Sequence, residues 1–220
     1  MSDMAADRTS AGSGTSSGAS IGSCWSCHGP VDSVALFCHV CGAIQPPGVA
    51  DHFKRLGLTP RFDLDPVEIG RRYVAFQQRL HPDRFAGKST RERAIAEQHA
   101  VNLNEAHETL KDPLRRGAYL LQLAGRASPT AENRTVDDQA LLMETMERRE
   151  ALSDASSIDR VAALAAAAAT DEEILLDALK SAFDADNLNA ATGLLTRLRY
   201  LRKFAEEARA RRAVLAEASS

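Results

Sequence analysis

The stretch 77-QQRLHPDRFAG-87 carries a run of helix-forming residues into His81-Pro82-Asp83. Pro82 has no backbone N–H and disfavours helical geometry at the residue before it, so the preceding helix must stop at about His81. Upstream, Asp65 has the position of an N-cap and Pro66 that of the first helical residue. From there Ile69, Tyr73, Phe76 and Leu80 recur at spacings of four, three and four, which makes one apolar stripe. The other face carries Arg71, Arg72 and Arg79. Downstream, a helix is expected from about Thr90 to Leu110, with Ile95, His99, Asn102, Leu103, Ala106 and Leu110 on its inner side. The tripeptide therefore separates two amphipathic helices, with Arg79 before it and Arg84 directly after.

Two shorter helices flank this pair. "DHFKRLG" places Phe53 and Leu56 on one face and ends at Gly57, while "KDPLRRGAYLLQLAG" starts another that ends near Gly125. A proline among polar residues also ends many helices in a turn of no function. The combination of a basic amphipathic helix, H-P-D and a second amphipathic helix running into "NEAHETLKDPLRR" is far more specific.

The wider composition narrows the class. The chain has 220 residues, 44% of them hydrophobic and 26% charged, with a net charge of −3. That balance gives no global attraction to nucleic acid or to a membrane surface, so only local patches matter. No apolar run approaches the roughly 20 residues needed to span a bilayer. Aromatics are 5% of the chain, and alternating β-branched runs are almost absent, so an all-α fold is expected. Residues 1–22 are rich in Ser and Gly and are expected to be disordered. They have no apolar core of a secretory signal, and Asp3 and Asp7 oppose the single Arg8, unlike a mitochondrial presequence. The expected compartment is the cytoplasm.

All four cysteines fall between residues 24 and 41, as the C-x-x-C pairs Cys24/Cys27 and Cys38/Cys41. Each such turn presents two thiolates to one metal, and Gly42 relaxes the backbone beyond the second pair. A small hairpin over "VALF" is expected to bring the turns together. Without a signal peptide, disulfides are disfavoured. One structural zinc in a closed site of four cysteine ligands is the leading expectation, and an iron–sulfur centre also suits four thiolates. His28 and His39 are expected to be solvated neighbours of the cysteines, not ligands.

Beyond the loop "GRASPTAENRTVDD", three more helices are expected to form a small antiparallel bundle. The first is capped by Asp137 or Asp138 and runs through Leu152. The second covers Ile158 to Phe183, either unbroken or with a break at "TDEE", where Thr170 and Glu173 have the spacing of a capping box. The third runs from Leu188 to about Ala216, with a stripe of Leu188, Ala191, Leu195, Leu198, Leu201, Ala205 and Ala208. The first bundle helix has two apolar sides. Leu141 and Leu152 share one, while Leu142, Met143 and Met146 share another beside Glu147 and Glu150. Either the helix is sandwiched, with both sides in the core, or the methionine side is a partner surface rimmed by carboxylates. The expected organisation is a tail over 1–22, a tetracysteine segment over 23–46, a helical hairpin domain over 51–125 and a helical bundle over 136–217.

Residues 51–125 resemble the J-domain of the DnaJ family, whose hallmark is H-P-D. The resemblance implies a DnaK-class ATPase chaperone as partner. His81, Pro82 and Asp83 would then trigger ATP hydrolysis in that partner, and Arg71, Arg72, Arg79 and Arg84 would steer docking on its acidic surface. Hydrolysis occurs in the partner, so the chain itself is not expected to be an enzyme.

Together with "LLMETMERREAL" and the late "LRYLRKF", the resemblance narrows to the HscB or Jac-type iron–sulfur co-chaperone family, over residues 24 to about 208. The tetracysteine segment is similar to that of eukaryotic and some bacterial members. The family resemblance implies an HscA-like chaperone and an IscU-type scaffold as partners. It places scaffold binding on Leu142, Met143, Met146, Glu147 and Glu150, with Tyr200 where the family has an aromatic residue. Met146 stands where leucine is usual and Tyr200 where phenylalanine is, and both changes leave the face apolar. Two readings compete: a general J-protein that delivers unfolded clients, and a zinc-dependent enzyme. The latter needs an open metal position and a nearby base, and the sequence marks neither.

Overall fold

The computed structural model describes residues 21–127 and 138–218. The expected tail lies outside the described residues except for Ile21 and Gly22, as do the loop residues 128–137 and with them Asp137 as a cap. The described chain is mostly helical, in the order β1 (Ile21–Ser23), β2 (Pro30–Asp32), α1 (His52–Arg55), α2 (Pro66–Arg79), α3 (Thr90–Lys111), α4 (Pro113–Leu123), α5 (Gln139–Asp154), α6 (Ile158–Asp184) and α7 (Leu188–Ala218).

Local chemistry sets most boundaries. Asp51 and Asp65 cap α1 and α2 by accepting the backbone N–H groups of Lys54 and Val67. Gly57 and Gly125 leave α1 and α4 through the left-handed region, at φ of 64° and 72°. Ser89 opens α3 with a capping box completed by Glu92, a signal the sequence reading passed over. Asp112 closes α3 in extended geometry and caps α4, with Pro113 at its first position. Asp138 caps α5.

The helices α1, α2 and α3 enclose a core of Phe53, Leu56, Ile69, Leu80, Phe85, Leu103, Ala106 and Leu110. Ile44 of the tetracysteine segment is 1% exposed within the same core, so that segment is docked on the hairpin. A second core joins the hairpin to the bundle. Phe62 and Leu121 pack there with Leu179, Ala182, Ala191, Leu195 and Leu198, burying α4 against α7. In the bundle, α6 and α7 form a long antiparallel hairpin, and α5 lies along α7. The third core contains Leu152, Ala155, Val161, Ala168, Leu201, Phe204 and Ala208.

Three expectations are corrected and one alternative is settled. Ile21 and Gly22 belong to a strand, since β1 pairs antiparallel with β2 in the register Ile21–Asp32, Gly22–Val31, Ser23–Pro30. "VALF" is not the hairpin that unites the cysteine pairs. Each pair is instead the tip of its own small β turn, the second marked by the Phe37–Ile44 bridge. The reason is geometric: a C-x-x-C turn reverses the chain, so its two flanks run side by side. The helix α6 is unbroken through "TDEE". A capping box requires an extended N-cap, whereas Thr170 stays helical and its hydroxyl donates to the Ala166 carbonyl. Finally, Phe204, not Ala205, continues the α7 stripe, because the helix steps three residues from Leu201 and then four to Ala208.

Candidate metal centre and docking surfaces

The two cysteine turns are built alike. In the first, Cys24 N–H donates to Gly29 O and His28 N–H to Cys24 O; in the second, Cys38 N–H donates to Ala43 O and Gly42 N–H to Cys38 O. The residue after each second cysteine has positive φ, 60° at His28 and 73° at Gly42. Histidine at the first site accepts a geometry that glycine adopts freely, and its side chain is exposed, away from any ligand role.

All four sulfurs lie within 4.8 Å of one another. Cys24 Sγ is 3.7 Å from Cys41 Sγ, and Cys27 Sγ is 3.8 Å from Cys38 Sγ. Four thiolates at about 2.3 Å around one tetrahedral ion stand about 3.8 Å apart, so the cluster fits a single zinc-sized ion. The spacing is well beyond the roughly 2.05 Å of a disulfide. The second-position amides point at sulfur: Ser26 N–H donates to Cys24 Sγ and Val40 N–H to Cys38 Sγ, both at 3.4 Å. Gln45 Nε2 donates to Cys24 Sγ at 3.3 Å. Burial raises the Cys24 thiol, but the N–H groups of Cys27 and Ser26 and the Gln45 amide outweigh it and lower its pKa to about 6. At Cys27 the Gly29 N–H lowers the pKa, yet the sulfurs of Cys41, Cys38 and Cys24 drive it up to about 12. The clustered thiols thus oppose one another's ionisation, a conflict that a bound cation relieves.

At the hairpin tip, α2 ends at Arg79 and Leu80 is its C-cap. His81 then caps a short 3₁₀ turn, Pro82–Phe85, with Pro82 at its first position. The His81 Nδ1 accepts the Asp83 N–H at 3.3 Å. His81 and Asp83 side chains are 57% and 89% exposed, while Phe85 is buried and anchors the turn. The tripeptide is therefore held in shape and presented to solvent. Arg71, Arg79 and Arg84 are exposed nearby. Arg72 is partly exposed and is also engaged within the chain. It donates to the Gly57 carbonyl at 2.7 Å and to Glu68 at 2.9 Å, tying α2 to the end of α1.

On α5 the two apolar sides have different fates. Leu141 and Leu152 are buried against α6 and α7, with Thr145 and Arg148 between them on the inner side. Leu142, Met143 and Met146 are 40%, 57% and 70% exposed, next to exposed Glu147 and Glu150. The sandwiched reading of this helix is thereby replaced by a one-sided helix with an uncovered apolar face. Tyr200 of α7 is half-buried in the cleft between α5 and α7, which Glu144, Arg148 and Arg197 also line. Polar contacts that the sequence reading missed clamp α5 in place. Arg148 bridges Glu144 and Asp171, Arg197 pairs with Glu144, and Arg149 forms a two-pronged pair with Glu207.

Residues 137–209 match the family of the HscB C-terminal oligomerisation domain. An iron–sulfur cluster co-chaperone protein HscB from Mus musculus is 33% identical over 201 residues, covering 89% of this chain and 86% of its own. The chain belongs to the HscB family. The co-chaperone protein HscB of Proteus mirabilis is 37% identical over 161 residues, which is 71% of this chain and 92% of that relative. The crystal structure of human HscB superposes with a TM-score of 0.77 at 31% identity, covering 85% of this chain and 96% of the human one. HscB membership agrees with the all-α fold and the N-terminal cysteine cluster seen here. Among the described residues, no helix is long and apolar enough to cross a membrane.

Proposed function

We propose that this HscB-family chain is a co-chaperone of iron–sulfur cluster assembly with two docking surfaces. One is the exposed H-P-D turn with Arg71, Arg72, Arg79 and Arg84, which engages a DnaK-class, HscA-like chaperone and stimulates its ATPase. The other is the ridge of Leu142, Met143 and Met146 with Glu147 and Glu150, which binds an IscU-type scaffold. Tyr200 supports this surface from the α5–α7 cleft. No bond is made or broken in this chain, and the catalytic step belongs to the partner. The tetracysteine cluster takes one structural zinc, whose role is to fold its segment, because four protein ligands leave no open position for substrate.

The observation that carries the reading is the uncovered methionine ridge on a helix otherwise fixed by ion pairs. Adaptable methionines also suit a general J-protein that binds varied clients, but the carboxylates at the ridge's rim favour one partner of complementary charge. Isothermal titration of the purified chain with an IscU-type scaffold and with an unfolded client peptide separates the two. Saturable one-to-one binding of the scaffold alone supports the scaffold reading, and equal binding of both overturns it. In parallel, His81→Gln is expected to abolish stimulation of the chaperone ATPase at unchanged melting temperature, because the side chain is exposed.

A further inference from the structure

The contacts between the tetracysteine segment and the hairpin fall on two particular arginines. Arg79 is the last residue of α2, two before His81, and Arg91 lies in the first turn of α3. The Arg79 guanidinium sits 5.3 Å from the centre of the Phe37 ring and 5.9 Å from that of Phe76. The Arg91 guanidinium sits 4.3 Å from the Trp25 ring centre. Phe37 immediately precedes Cys38 and Trp25 immediately follows Cys24. Each cysteine pair thus carries one aromatic ring, and each ring holds one of the arginines that bracket the H-P-D turn.

The rings are themselves fixed to the hairpin. Trp25 Nε1 donates to the Ile44 carbonyl at 2.6 Å, and the Ile44 side chain is sealed in the hairpin core. His99 of α3 bonds the Gln45 carbonyl at 2.8 Å, and the Gln45 amide in turn reaches Cys24 Sγ. A continuous path of contacts therefore runs from the sulfur cluster to both arginines. Long arginine side chains on an open surface sample many rotamers, and restricting them costs entropy when a partner binds. A ring face within about 6 Å of a guanidinium restricts it beforehand and leaves its N–H groups free for an acidic partner.

We propose that Phe37 and Trp25 are positioning residues for chaperone docking, so that the folded, metal-loaded cysteine segment presets Arg79 and Arg91 beside the H-P-D turn. The inference rests on the reading of the hairpin as the chaperone-docking surface. It gives the cysteine segment a role in docking without any contact of its own with the chaperone.

The test is a pair of double-mutant cycles read as association rates with a purified DnaK-class chaperone, at low and at physiological salt. One cycle uses Phe37→Leu with Arg79→Ala, the other Trp25→Leu with Arg91→Ala. Metal content and melting temperature are measured for every variant. Each leucine variant is expected to slow association about threefold, the scale of an exposed cation–ring contact. The same change made in the absence of its arginine is expected to have no further effect. Phe37→Tyr keeps a ring face and loses no hydrogen bond, so it is expected to retain the wild-type rate. Leucine effects that persist without the arginines would mean that the rings act only on folding, and the inference falls. A leucine variant with wild-type rate, while Arg79→Ala slows association, also overturns it. If His81→Gln and Arg79→Ala both bind like wild type, the docking reading itself is what fails.

Discussion

The guanidinium of Arg202, on α7, lies 2.6 Å from the carboxylate of Asp112, the residue that both closes α3 and caps α4. A second bond from Arg202 reaches Glu172 on α6 at 2.8 Å. One side chain of the bundle therefore fixes the point where the H-P-D hairpin turns into its last helix. Together with the apolar contacts of Phe62 and Leu121, this makes the hairpin and the bundle a joined structure, not two bodies on a tether. The angle between the two proposed docking surfaces is then set by packing.

Asp112→Ala removes an N-cap and an ion pair, and is expected to cost about 2 kcal/mol. Asp112→Asn keeps the cap and loses the charge, so about 1 kcal/mol is expected, moderated because Glu172 still faces Arg202. The pH dependence has a definite sign. Burial raises the Asp112 carboxyl, but the Arg115 N–H and the Arg202 charge outweigh it and hold it below the ordinary carboxylate range. Its contribution is therefore present above the unfolded value of about 4 and is lost as pH falls through the lower folded value. Urea unfolding of wild type and Asp112→Asn between pH 7 and 3 checks this: their difference must be constant above about pH 5 and shrink below about pH 4.

Gly117 makes a second test of the same junction, with the exposed Gly193 as its control. A Cβ built on Gly117 would stand 2.6 Å from Leu195 Cδ2 and 3.3 Å from its Cγ, and Leu195 is fully buried. Gly117→Ala is expected to destabilise by about 1–3 kcal/mol despite alanine's better helix propensity. At Gly193 nothing lies within 4 Å, so Gly193→Ala is expected to stabilise by about 0.5–1 kcal/mol. Thermal melts of the two variants must move in opposite directions.

Helix ends were legible because their chemistry is local. Asp65 caps through its own side chain, Pro66 and Pro82 restrict their own φ, and Asp51 and Asp112 cap in the same local way although the sequence reading passed over both. The cysteine cluster was legible for the same reason, since each C-x-x-C turn fixes two sulfurs without help. The ambiguous signals were those with a competing use. Thr170 has a cap's spacing from Glu173, yet the alanine run before it favours continuous helix, and its hydroxyl finds the Ala166 carbonyl. What no window could reveal were partners distant in sequence. Arg202 and Asp112 are ninety positions apart, and Gln45 meets His99 across fifty-four. His99 was placed on the inner side of α3 correctly, but its partner lay in another segment. The tetracysteine segment was therefore read as a separate module, although its Ile44 completes the hairpin core.

That docking alters what metal removal does. Stripping the metal, or Cys38→Ser, is expected to unfold residues 21–45 and withdraw Ile44 from the core. The remaining hairpin core still holds Phe53, Leu56, Ile69, Leu103 and Leu110, so helical circular dichroism is expected to survive at 25 °C. Stability is expected to fall by about as much as Ile44→Ala lowers it, in the range of about 2–5 kcal/mol. Trp25 is the chain's single tryptophan, so its fluorescence reports the segment while far-ultraviolet dichroism reports the helices. Loss of both signals together on chelation would show that the hairpin cannot stand without the segment.

The uncovered ridge of α5 provides the last test. Leu142, Met143 and Met146 are 40%, 57% and 70% exposed, so cutting them to alanine opens no enclosed cavity. Exposed truncations usually stay within about ±0.5 kcal/mol each, whereas buried ones cost about 2–5 kcal/mol. The triple alanine variant is therefore expected to melt near wild type, also because α5 remains held by Leu141, Leu152 and the Arg148 and Arg149 ion pairs. Interface anchors often carry more than about 1 kcal/mol each, so affinity for an IscU-type scaffold is expected to fall by roughly a hundredfold or more. The H-P-D turn is not touched, so stimulation of the chaperone ATPase by the chain alone should persist while the extra stimulation produced by the scaffold disappears. Titration calorimetry and a steady-state ATPase assay on the same preparation measure both effects. Unchanged scaffold affinity at an unchanged melting temperature would remove the ridge from the binding surface and direct the search to Tyr200 and the cleft between α5 and α7.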